Sequence, residues 1–154
     1  MSRSLPLALL ILALAGCDGD GSADRTCEDV GLSSAGTATA TTDAGSFRAT
    51  CYEVRVSADD VTVLAYVYDF EQDEPRRARL RLLVGGFEPG SYRIPGPSGQ
   101  RSGAEYDPDP TTQLTAETGA ITLAEFSSDR VRGAFSFVTT DGVVVTDGAF
   151  DVER

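Results

Sequence analysis

The sequence contains no histidine, lysine, tryptophan or asparagine, and these absences remove whole classes of chemistry. Without histidine, the chain has no Ser-His-Asp triad, no Cys-His nucleophile pair and no imidazole metal ligand. Without lysine, it has no Schiff-base nucleophile and no P-loop lysine. Any acid–base catalysis would therefore depend on carboxylates, tyrosine or water.

Positive charge is also scarce and comes from arginine alone. The chain carries 13 arginines against 24 aspartates and glutamates, which gives a net charge of −11. A polyanion of this size repels nucleic-acid phosphates, so we expect no nucleic-acid partner. It is also repelled by an anionic membrane surface, so a membrane association would require a lipid anchor.

One long apolar run occurs, from Leu5 to Ala15, and Arg3 precedes it. Since a membrane-spanning helix needs roughly 20 residues, this run predicts a signal peptide rather than a transmembrane anchor. The run ends in Leu14-Ala15-Gly16-Cys17, which resembles the lipobox of bacterial lipoproteins. The resemblance implies cleavage after Gly16 and lipidation of Cys17, with palmitate among the acyl chains. The alternative is an ordinary secretory signal with a cysteine there by chance.

A lipidated cysteine predicts the cellular location of the protein and its domain organisation. Each buried CH₂ contributes about 0.8 kcal/mol, so two or three acyl chains on one residue hold a protein stably at a membrane. We expect the bacterial cell envelope, at the outer rather than the inner membrane, with the domain in the periplasm or on the cell surface. The predicted organisation is a signal peptide (1–16), a lipidated cysteine with a flexible linker (17–35) and a β-domain (36–154).

Cysteine is rare, with three in the chain. Assigning Cys17 to lipid leaves Cys27 and Cys51, an even pair in an oxidising compartment and without a CxxC redox motif. We therefore predict a structural disulfide between them. Two free thiols are the alternative.

From residue 36 onward, apolar and polar residues alternate and no sustained helical period occurs, which predicts β-strands. The predicted fold is an all-β, antiparallel sandwich of about eight or nine strands, with a closed up-and-down β-barrel as the alternative. Asp141-Gly142 predicts a type I′ hairpin turn. The predicted strands are 36–42, 46–57, 61–69, 77–84, 91–94, 111–117, 120–126, 130–140 and 143–153.

Alternation within these strands predicts their buried faces. We expect Asp147 and Asp151 to face water. On the same strand, Val144 shares a face with the predicted core residues. On the 77–84 strand, Arg79 and Arg81 point away from the core face. The predicted core positions are Leu80, Leu82, Val84, Phe135, Phe137, Phe150 and Val152.

Four segments follow one another in an order similar to that in small β-domains of uncharacterised bacterial lipoproteins. The resemblance covers about the last 65 residues of the chain and implies a fold, with no activity attached to it. The segments are Gly90-Ser-Tyr92, Gly119-Ala-Ile-Thr-Leu123, Arg132-Gly-Ala-Phe-Ser-Phe137 and Val145-Thr-Asp-Gly-Ala-Phe150.

Residues 95–112 are rich in proline and glycine and predict a long loop, which is either a binding loop or a simple excursion. Glu105, Asp107 and Asp109 lie in it. Paired carboxylates can hydrolyse glycosidic bonds, so a small carboxylate-dependent hydrolase acting on an envelope glycan is one hypothesis. A calcium-binding surface module is another, since Ca²⁺ prefers oxygen ligands.

The one basic cluster consists of Arg76, Arg77, Arg79 and Arg81. Arg79 and Arg81 share a strand face and could grip phosphate or carboxylate groups of an envelope protein or glycan. The alternative is pairing with nearby acids (Glu71, Asp73 and Glu74) and protection of a sheet edge. The sequence thus favours a non-catalytic, membrane-anchored envelope lipoprotein that acts as a binding or structural module. We expect no metal and no cofactor, and the oligomeric state stays open.

Overall fold

The computed structural model describes residues 25–72, 76–96 and 100–154, and within these ranges the regular secondary structure is almost entirely β-strand. One short 3-10 turn, Glu28–Val30, precedes the strands. The predicted signal peptide, Cys17 and residues 18–24 of the predicted linker lie outside the described residues. The strands are β1 (Gly36–Thr42), β2 (Gly45–Arg48), β3 (Cys51–Val56), β4 (Val61–Tyr68), β5 (Arg76–Val84), β6 (Gly90–Ile94), β7 (Gly103–Asp109), β8 (Thr112–Phe126), β9 (Arg130–Thr139) and β10 (Val144–Glu153).

The ten strands form one curled, antiparallel sheet. Its order is β2-β1-β10-β9-β8-β7-β5-β4-β3, and β6 pairs with β8 beside β7. The all-β antiparallel class is therefore confirmed. Because the strands share one curled sheet, the arrangement lies between the predicted sandwich and the alternative barrel.

The two ends of the curled sheet are connected by a single run of chain. The sequence predicted one strand over 46–57, and the structure divides this run into β2 and β3. At the division, the Ala49 N–H donates to the Ala38 carbonyl on β1, and the Thr50 N–H donates to the Tyr66 carbonyl on β4. The Tyr52 hydroxyl donates to the Ala49 carbonyl at 2.8 Å and closes the bend from inside.

The prediction of a long loop over 95–112 is wrong, because β7 occupies Gly103–Asp109. β6 and β7 pair with successive parts of β8, as Ile94 lies opposite Gly119 and Glu105 lies opposite Thr115. Residues 95–102 separate the two strands. Prolines at the end of β7 favoured a loop in the sequence, yet a register shift between Tyr106 and Asp109 accommodates them. The two strands predicted at 111–117 and 120–126 are likewise one strand, β8.

Two reciprocal glycine–phenylalanine pairs organise the β9–β10 hairpin. Gly133 lies opposite Phe150, and Phe135 lies opposite Gly148. A Cβ atom on Gly148 would stand 2.4 Å from the Phe135 ring, and one on Gly133 would stand 2.6 Å from the Phe150 ring. Each ring therefore packs directly over a glycine of the neighbouring strand. This explains why glycine and phenylalanine recur in the segments that carried the fold resemblance.

The predicted hairpin between β9 and β10 exists, but its turn is not type I′. A type I′ turn needs two residues with positive φ, and of the two central residues only Gly142 has one, at 83°. A bulge between Val145 and Gly148, with Asp147 at φ 51°, then reverses the alternation on β10. As a result, Val145 is buried and Val144 is exposed, opposite to the predicted faces.

The remaining predictions of the core are confirmed. Asp147 is exposed, and Asp151 is half-buried and paired with Arg130. The interior of the curl is filled by contacting apolar side chains. These include all of the predicted core positions, namely Leu80, Leu82, Val84, Phe135, Phe137, Phe150 and Val152.

The predicted disulfide between Cys27 and Cys51 is present. It attaches the segment before β1 to the first residue of β3, and main-chain hydrogen bonds between Ser33 and Tyr52 hold the same segment. The described part of the predicted linker, residues 25–35, is therefore attached to the β-domain at two points. The domain boundary at residue 36 stays a prediction.

Candidate functional site

The arginines and the carboxylates that the sequence singled out separately meet on one surface. Because Leu80 and Leu82 point into the core, strand alternation turns Arg79 and Arg81 outward. β7 pairs with β5 so that Asp107 lies opposite Arg79. Glu105 lies opposite Arg81 in the same register. We call the outward side of β3, β4, β5 and β7 the outer face.

Each of these two carboxylates is bound by guanidinium groups. Arg79 Nε lies 2.8 Å from Asp107 Oδ2, and Arg79 Nη2 lies 3.5 Å from Glu105 Oε2. Arg81 Nη1 donates to Glu105 Oε1 at 2.9 Å. Arg76 adds a weaker contact of 4.0 Å to Asp107. The predicted binding residues and the predicted hydrolase residues are thus partners in one ion-pair network.

Asp107 is the most unusual member of this network, because its side chain is only 5% exposed. Burial raises the pKa of Asp107, and the Arg79 guanidinium opposes that shift. Among the described residues, neither Asp107 Oδ1 nor Arg79 Nε has a hydrogen-bond partner. The 2.8 Å approach of Arg79 Nε to Asp107 Oδ2 is therefore an ion pair with poor hydrogen-bond geometry. The buried charge of Asp107 is therefore compensated chiefly by Arg79.

Asp109, the third predicted carboxylate, has a different role. Its Oδ1 accepts hydrogen bonds from the backbone N–H groups of Thr111 and Thr112 and from the Thr111 hydroxyl. These bonds lower the pKa of Asp109 to about 2. Asp109 therefore shapes the turn between β7 and β8 and stays ionised, which does not suit a general acid.

A groove of about 340 Å³ runs along the outer face beside the network. Three guanidinium groups, those of Arg55, Arg79 and Arg81, line it together with Thr62, Leu64 and Tyr66. Tyr66 begins a row of aromatic rings on β4 and the residues after it. Tyr66 and Tyr68 are 5.8 Å apart between ring centroids, and Tyr68 stacks on Phe70 at 5.1 Å.

Sequence reasoning missed Arg55 and Tyr66 as members of this site. Both lie on strands that were predicted, but their approach to Arg79 depends on register. Arg55 lies opposite Thr62, and Tyr66 lies opposite Arg79. Alternation alone places each residue on one face of its own strand and does not say which residues of other strands lie beside it.

The predicted alternative partners of the arginines are corrected by the structure. Among the described residues, Arg79 and Arg81 pair with Glu105 and Asp107 rather than with Glu71, while Arg77 pairs with Asp69 at 3.6 Å. Asp73 and Glu74 lie outside the described residues. Edge protection is also wrong, because β5 lies between β4 and β7 in the sheet.

Residues 25–72, 76–96 and 100–154 contain no group of three or more acidic or cysteine side chains placed to hold a metal ion. In the same ranges, no helix is long and apolar enough to cross a membrane. Comparison of the chain with protein-family models, with curated proteins and with solved structures gave no match.

Proposed function

We propose that this protein is a membrane-anchored, non-catalytic lipoprotein of a bacterial envelope, held by lipid on Cys17, with its β-domain acting as a binding or structural module. The anchor rests on the Leu14-Ala15-Gly16-Cys17 segment after an apolar run. The outer face, with the groove beside Arg79 and Arg81, is the proposed contact surface for an envelope partner.

One observation favours a non-catalytic module over a hydrolase. Glu105 and Asp107, the best placed carboxylates, are both engaged by arginine side chains. A glycosidase needs one carboxyl group free to protonate the leaving group and another free to act as nucleophile or base. Although burial raises the pKa of Asp107, Arg79 Nε lies 2.8 Å from its carboxylate, so this group is not free for either role.

The same network argues against the calcium-binding alternative. A calcium ion on the outer face would have to displace Arg79 or Arg81 from the carboxylates. Guanidinium and Ca²⁺ compete for the same oxygen atoms, and a buried carboxylate already paired with arginine is a poor Ca²⁺ ligand.

The anchor is tested by intact-mass measurement of protein extracted from its native membrane. We expect a chain that begins at Cys17 and carries acyl chains, and we expect the Cys17→Ala variant to leave the membrane fraction or to accumulate as precursor. A Cys27→Ala/Cys51→Ala double variant is the matched control, and it should keep its acyl chains. A water-soluble product that begins at another residue would refute the anchor.

The non-catalytic role is tested with envelope glycan fragments and simple ester substrates. We expect no turnover that depends on the outer-face carboxylates. Turnover by the wild type that disappears in the Glu105→Gln variant, while a Glu117→Gln variant on β8 retains it, would establish the hydrolase alternative instead.

A further inference from the structure

We infer that the outer face is the side of the domain that lies against the membrane, where Arg55 and Arg81 bind phosphate groups of lipid headgroups. The inference rests on the proposed lipidation of Cys17. It adds to that proposal an orientation of the domain, and it identifies the envelope partner of the groove as the layer of lipid headgroups.

The first observation is where the chain enters the domain. Tyr52 points into the core, so Cys51 beside it points outward, and the disulfide therefore brings Cys27 to the outer side of β3. The Cα atoms of Cys27 and Cys51 are 5.5 Å apart. Cys51 lies opposite Tyr66, which in turn lies opposite Arg79. The chain thus joins the domain next to the groove.

The second observation is the short length of chain between the anchor and this point. Nine residues separate Cys17 from Cys27. Ten peptide steps reach at most about 35 Å when fully extended, and a flexible chain of that length has a root-mean-square span of about 17 Å. A domain of this size is itself about 35 Å across. Turning the opposite side toward the membrane would therefore require an almost fully extended tether.

The third observation is the distribution of charge. The strands of the outer face, β3, β4, β5 and β7, carry five arginines and four carboxylates. The other described residues carry seven arginines and fifteen carboxylates. An anionic membrane repels every side of the domain on which carboxylates outnumber arginines. The outer face is therefore the side that can approach the membrane most closely.

The groove also has the chemistry that a headgroup layer requires. Arginine binds phosphate through its N–H donors. Arg55 donates from Nε and Nη2 to Glu53, and Arg81 donates from Nη1 to Glu105. Their side chains are 66% and 39% exposed, so the remaining N–H groups of both can reach a ligand. Tyr66, Tyr68 and Phe70 form the aromatic row at its side. Tyrosine is favoured at the boundary between headgroups and acyl chains, because its ring is apolar and its hydroxyl is polar.

The experiment uses tryptophan fluorescence, since the native chain has no tryptophan. The full lipidated protein is placed in phosphatidylethanolamine–phosphatidylglycerol vesicles that contain lipids with a nitroxide on the headgroup. The probe is the Tyr68→Trp variant. The control is Ser136→Trp, at an exposed position of β9, four strands away from β4 in the sheet. A ring within roughly 5–10 Å of the headgroups should lose at least about half of its emission, and the control should lose little.

A second pair of variants tests the phosphate contacts. In the Tyr68→Trp background, Arg55→Gln with Arg81→Gln should restore emission, whereas Arg132→Gln on β9 should not. Equal quenching of the two tryptophans in acylated protein would overturn the orientation and leave the anchor intact. Quenching of neither, with Tyr68→Trp emission changed instead by soluble cell-wall glycan fragments, would assign the groove to a glycan. Absence of acyl chains on Cys17 would refute the anchor and, with it, the orientation.

Discussion

At the scale of single residues, glycine has a packing role in β9 and β10. Gly148 has no backbone angle that requires glycine, and what it supplies is room for the Phe135 ring on the neighbouring strand. Aromatic rings placed over strand glycines bury apolar area that the glycine itself does not cover. Such a glycine therefore contributes to stability through the aromatic ring that packs over it.

This predicts that Gly148→Ala destabilises the domain by about 1–3 kcal/mol, because the added methyl overlaps the buried Phe135 ring. The free energy of unfolding in urea measures the effect. Gly103→Ala is the matched control, since its Cβ would meet no atom within 4 Å, and we expect it to change the free energy of unfolding by less than about 0.5 kcal/mol. Equal effects of the two variants would contradict the packing explanation.

The Arg79–Asp107 pair predicts a pH-dependent stability. Burial raises the pKa of Asp107, so the folded state binds the proton more readily than the unfolded chain does. Asp107 therefore contributes stability at a pH below its unfolded value of about 3.9, and this contribution is lost as the pH rises through the folded-state pKa. Arg79 limits the loss, because it stabilises the carboxylate.

We accordingly expect Arg79→Gln to cost about 3 kcal/mol at pH 7, where it leaves a buried carboxylate without its main partner. The difference from the wild type should shrink as the pH falls toward about 4, because the carboxyl then becomes neutral. Urea unfolding at several pH values measures this. Arg81→Gln, whose ion pair is more exposed, should cost less than about 1 kcal/mol and show little pH dependence.

At the scale of elements, the disulfide attaches the entry of the chain to β3. Closing a loop of this length removes conformational freedom from the unfolded chain. We expect reduction, or the Cys27→Ala/Cys51→Ala double variant, to lower the free energy of unfolding by about 3 kcal/mol. Reductant should have no effect on the double variant. An unchanged urea midpoint after reduction of the wild type would contradict the prediction.

Strand structure breaks at two places in the chain, and each break determines which strands pair. The division between β2 and β3 lets one run of chain pair with β1 on one side and β4 on the other. The excursion between β6 and β7 leaves β7 free to pair with β5, which brings Glu105 and Asp107 to the arginines. The candidate site therefore depends on pairing between strands that are distant in sequence.

At the scale of the whole molecule, negative charge dominates outside the outer face. Self-repulsion of these carboxylates destabilises the compact state, and salt screens it. We expect an increase in NaCl from about 0.02 M to about 0.5 M at pH 7 to raise the Tm by roughly 4 °C. Near pH 4, where carboxylates become neutral, the same increase should have little effect. A Tm independent of salt at pH 7 would contradict this account.

Local patterns in the sequence were sufficient for the all-β class, most strand positions and the buried faces of β5 and β9. They were sufficient because alternation depends only on the two-residue period of a strand. These patterns failed where a strand departs from regular alternation or contains residues that are typical of loops. The bulge in β10 reversed the faces of Val144 and Val145, and prolines concealed β7.

The sequence by itself determined which chemical groups are present. These are an excess of acids, arginine as the sole cationic side chain, three cysteines and the apolar side chains that can alternate into a core. Only the tertiary structure decided which of these residues meet. Asp107 and Arg79 are adjacent because β7 lies beside β5, and Cys27 lies near the groove because β3 carries its partner Cys51. Register between distant strands is set by how all strands together fill one core, and no local pattern contains that information.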